Sequence, residues 1–329
     1  MSIALPQLKS IKIDKFILSL FSAIIIAFLF PTGAGMLHLK QVTEIGIGFI
    51  FFFYGLKLSF TEVAQGLKNY KLHVLIQLST FVLFPLILLG LKSFLIGLIG
   101  ETFWIGLFFL AALPSTVSSS VVMVSLAKGN VPSAIFNASI SGLIGAFVTP
   151  LWIGIIVSQS GGMSLGDVFL KLIIQILLPL VIGLLLNKKL GHIAKKNSSK
   201  IALYDKTIIV LIVYASFCTS ILAHMFDGIS FLNFVFLFSA VFCLFWLVIG
   251  IIYFISLKLN LSLADRITAT FCGTKKSLVH ASAMVNIIFA NNVSASLFLL
   301  PVMLYHITQI VILAIVANRI GKRTLNEAA

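Results

Sequence analysis

Apolar runs of about twenty residues, long enough for a helix to cross a hydrocarbon core, follow one another along this chain with short polar connections. The pattern predicts ten spans, near 15–32, 43–62, 71–91, 102–127, 131–157, 167–187, 205–224, 231–256, 264–290 and 293–318. Two of them are interrupted at their centres. Span four holds Pro114-Ser115-Thr116-Val117-Ser118-Ser119-Ser120, and span nine holds Cys272-Gly273-Thr274-Lys275-Lys276-Ser277. Pro114 lacks a backbone donor and clashes with the preceding turn; Gly273 is permissive in its backbone angles. Each predicts a helix that stops and restarts, leaving carbonyls bare on one side and N–H groups on the other. Lipid offers nothing to satisfy them, so a broken helix survives at membrane depth only where it lines a protein-enclosed cavity.

Composition fixes the class. Hydrophobic residues make up 60% and charged residues 10%, with a mean hydropathy of +1.16; a soluble domain carries about 25% charge. An all-α membrane protein is implied, with no polar stretch long enough for a separate soluble domain. A net charge of +14 would suggest nucleic acid in a soluble chain. Here the lysines sit at span ends, which indicates membrane orientation and no nucleic-acid partner. With ten alternating spans, Lys9, Lys12, Lys15, Lys57, Lys68, Lys71, Lys128, the run from Lys188 to Lys206, Lys258, Arg266, Arg319, Lys322 and Arg323 share one side. Only Lys40, Lys92 and Lys171 fall on the other. Positive charge collects in the cytoplasm, so both termini are expected there, and the expected location is a bacterial inner (plasma) membrane. The run Phe16–Phe30 after Lys12 and Lys15 lacks a small-x-small cleavage site and reads as an uncleaved first helix. Cys218, Cys243 and Cys272, odd in number and all within spans, are expected to be buried free thiols. His73, near a span end, is expected at the interface.

Spans four and nine hold the same place in each half of ten. Five spans is an odd number, so a duplication would invert its second half. Asn130-Val131-Pro132-Ser133-Ala134-Ile135-Phe136 resembles Asn292-Val293-Ser294-Ala295-Ser296-Leu297-Phe298. The expectation is two inverted five-helix repeats, 1–160 and 161–329. Paired interruptions at corresponding places point to a transporter's binding site.

The breaks bring chemistry to mid-membrane. Ser115, Thr116, Ser118, Ser119, Ser120, Thr274 and Ser277 supply hydroxyl oxygens, hard donors suited to Na⁺; freed carbonyls suit cations and helix N-termini suit anions. Singly, such hydroxyls more often bond back to their own helix. Asn137 and Ser141, four apart on span five, share a face and are placed to meet the break in span four; Ser139 and Thr149 add further polar groups. Gln77 lies in span three. His306 and Gln309 share a face of span ten, where an interhelical hydrogen bond is the expected role of His306. All nine acidic residues map to span ends, connections or tails, yet Lys275 and Lys276 sit at the break in span nine, too deep to snorkel. A lysine at bilayer centre costs about 2.5–3.5 kcal/mol on insertion scales and is normally functional. Adjacent helical residues point about 100° apart, so one of the two is expected at the crossing, held by Thr116, Ser119, Ser120, Asn137 and freed carbonyls. An amine that exchanges a proton makes H⁺ a candidate coupling ion beside Na⁺; no cofactor is expected. With no mid-membrane carboxylate and no His/Cys cluster at metal spacing, an intramembrane enzyme is disfavoured. The alternative to a transporter is a membrane-embedded regulator or channel.

Leu113-Pro114 through Ser120, then Leu126-Ala127-Lys128-Gly129-Asn130, resembles the fourth-span motif of the bile acid–sodium symporter superfamily, solute carrier family ten. Ala134-Ile135-Phe136-Asn137, Thr149-Pro150, Phe271 through Leu278 and Leu304-Tyr305-His306 to Gln309 are similar to the branch grouped with its member seven. The resemblance covers nearly the whole chain. It implies inverted repeats, a mobile panel domain (spans 1, 2, 6, 7), a core domain (spans 3–5, 8–10), crossing breaks in spans four and nine, and secondary transport of a small organic anion. It places possible Na⁺ ligands at Ser119, Ser120 and Asn137, with Ser141 and Gln77 nearby. Span nine departs from it. Where the better-known symporters carry a glutamate and a glutamine that ligate sodium, this chain has Thr274, Lys275 and Lys276. Substrate identity, stoichiometry and oligomeric state stay open.

Overall fold

The computed structural model describes residues 15–57, 69–116, 118–157, 170, 173–227, 229–289 and 293–326, with the side chains of Ser118, Val157 and residues 322–326 left aside. The 160/161 repeat boundary and Asn292 lie outside the described residues, as does the side chain of Ser118. Among those described, the secondary structure is helical throughout, without a strand. The main helices are α1 (Lys15–Leu29), α2 (Leu39–Lys57), α3 (Tyr70–Gly90), α4 (Glu101–Ala112), α5 (Ser118–Leu126), α6 (Val131–Val157), α7 (Ile173–Lys196), α8 (Ser198–Leu222), α9 (Phe231–Lys258), α10 (Leu263–Gly273), α11 (Leu278–Ile288) and α12 (Ala295–Asn326), with short helices at Gly33–Met36 and Lys92–Ile99 in the connections. Seven of these, α2, α3, α6, α7, α8, α9 and α12, are long and apolar enough to cross a membrane; α1 and α4 are shorter apolar helices. The protein is an integral, multi-pass membrane protein.

The lysine-rich stretch expected as a connection between spans six and seven is instead helix on both sides of a single turn at Asn197. Lysine is a good helix former whose charge stays in solvent while its stem lies along the helix, so both helices run on past the apolar register.

α2 packs along α7, α1 along α8, and α4 along α12. The α2–α7 approach is the closest. A Cβ on Gly55 would lie 2.1 Å from Leu180 O, and one on Gly183 would lie 2.1 Å from Phe52 O. Two backbones meet where a side chain would separate them, the usual device for helix association in lipid.

Two irregularities prepare the centre of the fold. In α3 a π turn spans Ser79–Leu83, and Phe84 N–H reaches back to Ser79 O rather than Thr80 O. The next donor along is Pro85, which has none. Thr80 O is thereby stripped of helical partners, while Phe81 O accepts from Trp152 Nε1 at 2.8 Å. At the end of α4, Leu113 is extended (φ −71°, ψ 150°), as a residue before proline must be. The helix stops there with its last carbonyls open.

Candidate functional site

The two breaks meet. Ser277 N–H donates to Pro114 O at 2.9 Å, and Ser115 Oγ donates to Cys272 O at 2.8 Å. Several of the freed groups are matched by partners from other helices. Ala112 O accepts from Thr149 Oγ1 (2.7 Å), Ser115 N–H donates to Ser141 Oγ (2.9 Å), and Thr274 O accepts from Tyr305 OH (2.6 Å). Gln309 grips Lys276 on both backbone sides, with Oε1 accepting from its N–H at 2.9 Å and Nε2 donating to its carbonyl at 2.8 Å. In a low-dielectric interior these cross-helix bonds are what keeps the broken backbone tolerable.

At its centre is the Lys276 ammonium. Its three protons face three carbonyls: Thr80 O at 2.7 Å, Ala111 O at 2.6 Å and Leu113 O at 2.9 Å. The Phe84 ring covers it at 4.2 Å from the centroid, a favourable place for a cation. These carbonyls are the ones freed by the π turn and by Pro114. Lysine offers three donors and no acceptor, so this side chain is fully spent, and at 1% exposure it does not snorkel.

Lys275 beside it is different. It is 0% exposed, and its Nζ is buried without a hydrogen-bond partner. The described buried polar residues include no aspartate or glutamate, so none of them supplies a counter-charge here.

The other sequence candidates divide. Pro114 and Gly273 are where the helices stop, and Ser141 and Ser277 are in the seam. Ser277 Oγ caps α11, accepting from His280 N–H at 3.3 Å and lying 2.9 Å from His280 Nδ1. Thr116 is in the non-helical link and bonds to Ser119 (2.8 Å) and Ser120 (3.0 Å). This hydroxyl trio heads α5, and none of it reaches the Lys276 ammonium. Thr274 Oγ1 bonds back to Thr270 O at 2.7 Å. His306 Nδ1 pairs with Gln309 Nε2 (3.0 Å) one turn along the same helix, an intrahelical bond rather than the expected interhelical one, and its ring meets Phe16 of α1 edge-on.

Asn137 does not join the serines. Its partners are His73 (2.7 Å), Ser133 O (2.8 Å) and Gln77, which donates to Asn137 Oδ1 at 3.1 Å. His73, near the start of α3, is buried and tilted against Phe136 at 4.3 Å between ring centroids. Cys218 and Cys272 are buried, but Cys243 is exposed on α9, on a helix apolar on every face. The described His, Cys, Asp and Glu side chains form no group of three able to hold a metal ion. The Na⁺ donors expected at Ser119, Ser120 and Asn137 are engaged in two separate networks.

The sequence signal for Thr80 was Pro85 inside span three, five residues on. Tyr305 and Gln309 were visible as polar residues in span ten, without a mark that they reach the break.

The profile of the SBF-like CPA transporter family matches residues 14–322. This chain belongs to that family. It is 34% identical over 319 residues to protein PA2026 of Pseudomonas aeruginosa, covering 96% of this chain and 95% of that one. It is 33% identical over 314 residues to the "Putative symporter YfeH" of Escherichia coli K12, at 95% and 94% coverage. It is 29% identical over 308 residues to sodium/bile acid cotransporter 7 of Danio rerio, with 91% of each covered. The protein is therefore a member of a transporter family rather than an enzyme, and the resemblance drawn from its motifs holds across nearly its full length.

Proposed function

We propose that this protein is a secondary-active transporter of a small organic anion, working by alternating access around the crossing of α4–α5 with α10–α11. The observation that carries this is the pair of helix breaks bonded to each other at mid-span, with a buried ammonium beside them that lacks a protein counter-charge. In this arrangement α4–α5 and α10–α11 count as one crossing each. The chain then makes ten crossings in two inverted repeats of five. The panel is α1, α2, α7 and α8, joined by the Gly55–Gly183 contact, and it moves against a core of the remaining helices.

Lys276 supports a second element of the proposal. Three converging carbonyls and an aromatic face make a cation site, and a tethered ammonium fills it. A fixed positive charge takes the part of a bound cation in this carbonyl site, so no sodium ion needs to enter it with the substrate.

Proteoliposomes loaded with unlabelled substrate should show saturable uptake of label that is accelerated by counterflow. Flux that stays linear with concentration and shows no counterflow would identify a channel instead. The lysine asymmetry also places both termini in the cytoplasm of a bacterial inner membrane. Reporter fusions after Gly162 should read outside and those after Lys196 inside; the reverse at both sites would reject ten crossings with this orientation.

A further inference from the structure

We infer that Lys275, not Lys276, binds the anionic group of the transported solute, and that Lys276 is a positioning residue that keeps the crossing closed around it. This deepens the transport proposal and rests on it only for the solute's being cargo. The two lysines are neighbours in sequence and equally buried, yet their surroundings are opposite. Lys276 gives its three protons to Thr80, Ala111 and Leu113 carbonyls, and Gln309 fixes its backbone. It has nothing left for a ligand, and withdrawing it would leave the π turn of α3 and the end of α4 bare. Lys275 keeps all three protons unpaired at 0% exposure.

A buried ammonium without a partner is among the least stable arrangements a membrane interior can hold. Nothing in the packing of this seam requires it. An anion from outside the chain would supply the partner that this side chain lacks. The local backbone favours the same sign of ligand. α11 begins three residues after Lys275, and the leading N–H groups of a helix have no helical acceptors and carry the positive end of its dipole. Two further buried polar atoms without partners, His280 Nε2 and Ser282 Oγ, lie in the first two turns of the same helix. Cys272, three residues back near the end of α10, is a buried thiol and offers no competing carboxylate. The solute class that fits is an organic monoanion, a carboxylate or sulfonate, which neutralises one ammonium.

The site is covered in this conformer. Phe51 and Tyr54 of α2 lie edge-on to His280, each at 5.6 Å between centroids, and Tyr54 OH donates to Ala138 and Ser139 carbonyls of α6 at 3.2 Å. A displacement of α2 away from α6 and α11 would remove these two rings from His280.

The test compares purified wild type, Lys275→Met, Lys275→Gln and Lys276→Met by thermal unfolding in detergent. Probes are taurocholate, benzoate and benzenesulfonate, with benzylammonium and benzyl alcohol as cation and neutral controls. Wild type should be stabilised by at least one anionic probe and by neither control. Lys275→Met should melt about 3 °C or more above unliganded wild type, because an uncompensated charge is removed, and should lose the anion response. Lys276→Met should melt below wild type. Lys275→Gln should repeat the loss of response should the methionine variant not fold. A wild type without an anion-selective shift, or an anion shift that persists in both Lys275 variants, would overturn the assignment. Loss of the shift in Lys276→Met but not in the Lys275 variants would reverse the roles and equally overturn it. An anion shift that depends on Lys275, in a protein showing no counterflow in vesicles, would keep the anchor and reject transport.

Discussion

Lys276→Met should destabilise the protein by about 3 kcal/mol or more and abolish flux, the largest effect of any single substitution in the seam. The substitution keeps the length of the side chain and removes its three donors. Thr80, Ala111 and Leu113 carbonyls then lose the partner they share. A buried acceptor left unsatisfied costs about 1–3 kcal/mol, and no water reaches a residue that is 1% exposed. The opposing term is relief from burying an ammonium, an effective penalty of several kcal/mol in a protein interior. In the wild type that penalty is already offset by three charge-assisted bonds and the Phe84 face at 4.2 Å. Three orphaned carbonyls at the junction of α3, α4 and α10–α11 therefore outweigh the relief. Lys276→Arg should also be destabilised, because a planar guanidinium cannot direct single donors to three converging carbonyls. Thermal unfolding and vesicle flux measured on the same preparations check this. A methionine variant as stable as wild type would show that the carbonyls find other donors and that the ammonium is not the keystone of the crossing.

Replacing external sodium by N-methyl-D-glucamine should leave substrate flux within about twofold of its value in sodium, whereas a sodium-coupled carrier gains about 1.4 kcal/mol, or tenfold accumulation, per ion for each tenfold gradient. The expectation follows from the donors. The carbonyl cage is filled by the hydrogen-bonded ammonium of Lys276, which is tethered to the chain. The hydroxyls of Thr116, Ser119 and Ser120 satisfy one another, and Asn137 is committed to His73, Ser133 and Gln77. Driving flux with an imposed proton gradient in the same vesicles tests H⁺ as the coupling ion. Uptake that collapses without sodium would mean that these networks open to admit the ion, and would remove the tethered-cation proposal.

The sequence by itself determined what depends on local chemistry. Lipid leaves backbone groups no partners, so Pro114 and Gly273 had to stop helices and the polar residues around them had to face protein. The absence of a mid-span carboxylate marked two lysines as out of the ordinary. Positions 131–157 and 231–256 were read as spans because their apolar character runs without a break, and α6 and α9 lie almost where expected. The tertiary structure alone decided which groups meet. The bond from Lys276 to Thr80 joins residues 196 apart, and nothing in either neighbourhood names the other. Pro85 sat in plain view, but its consequence, a carbonyl freed by a π turn, appears only once Phe84 has bonded to Ser79. The rule that separates adjacent helical residues by about 100° could not choose between Lys275 and Lys276, because the chain between Gly273 and Leu278 is not helical. In a link of that kind, side-chain direction is set by the carbonyls and by Gln309 that converge on it from three other helices. The same packing that closes around Lys276 leaves Lys275 without a partner.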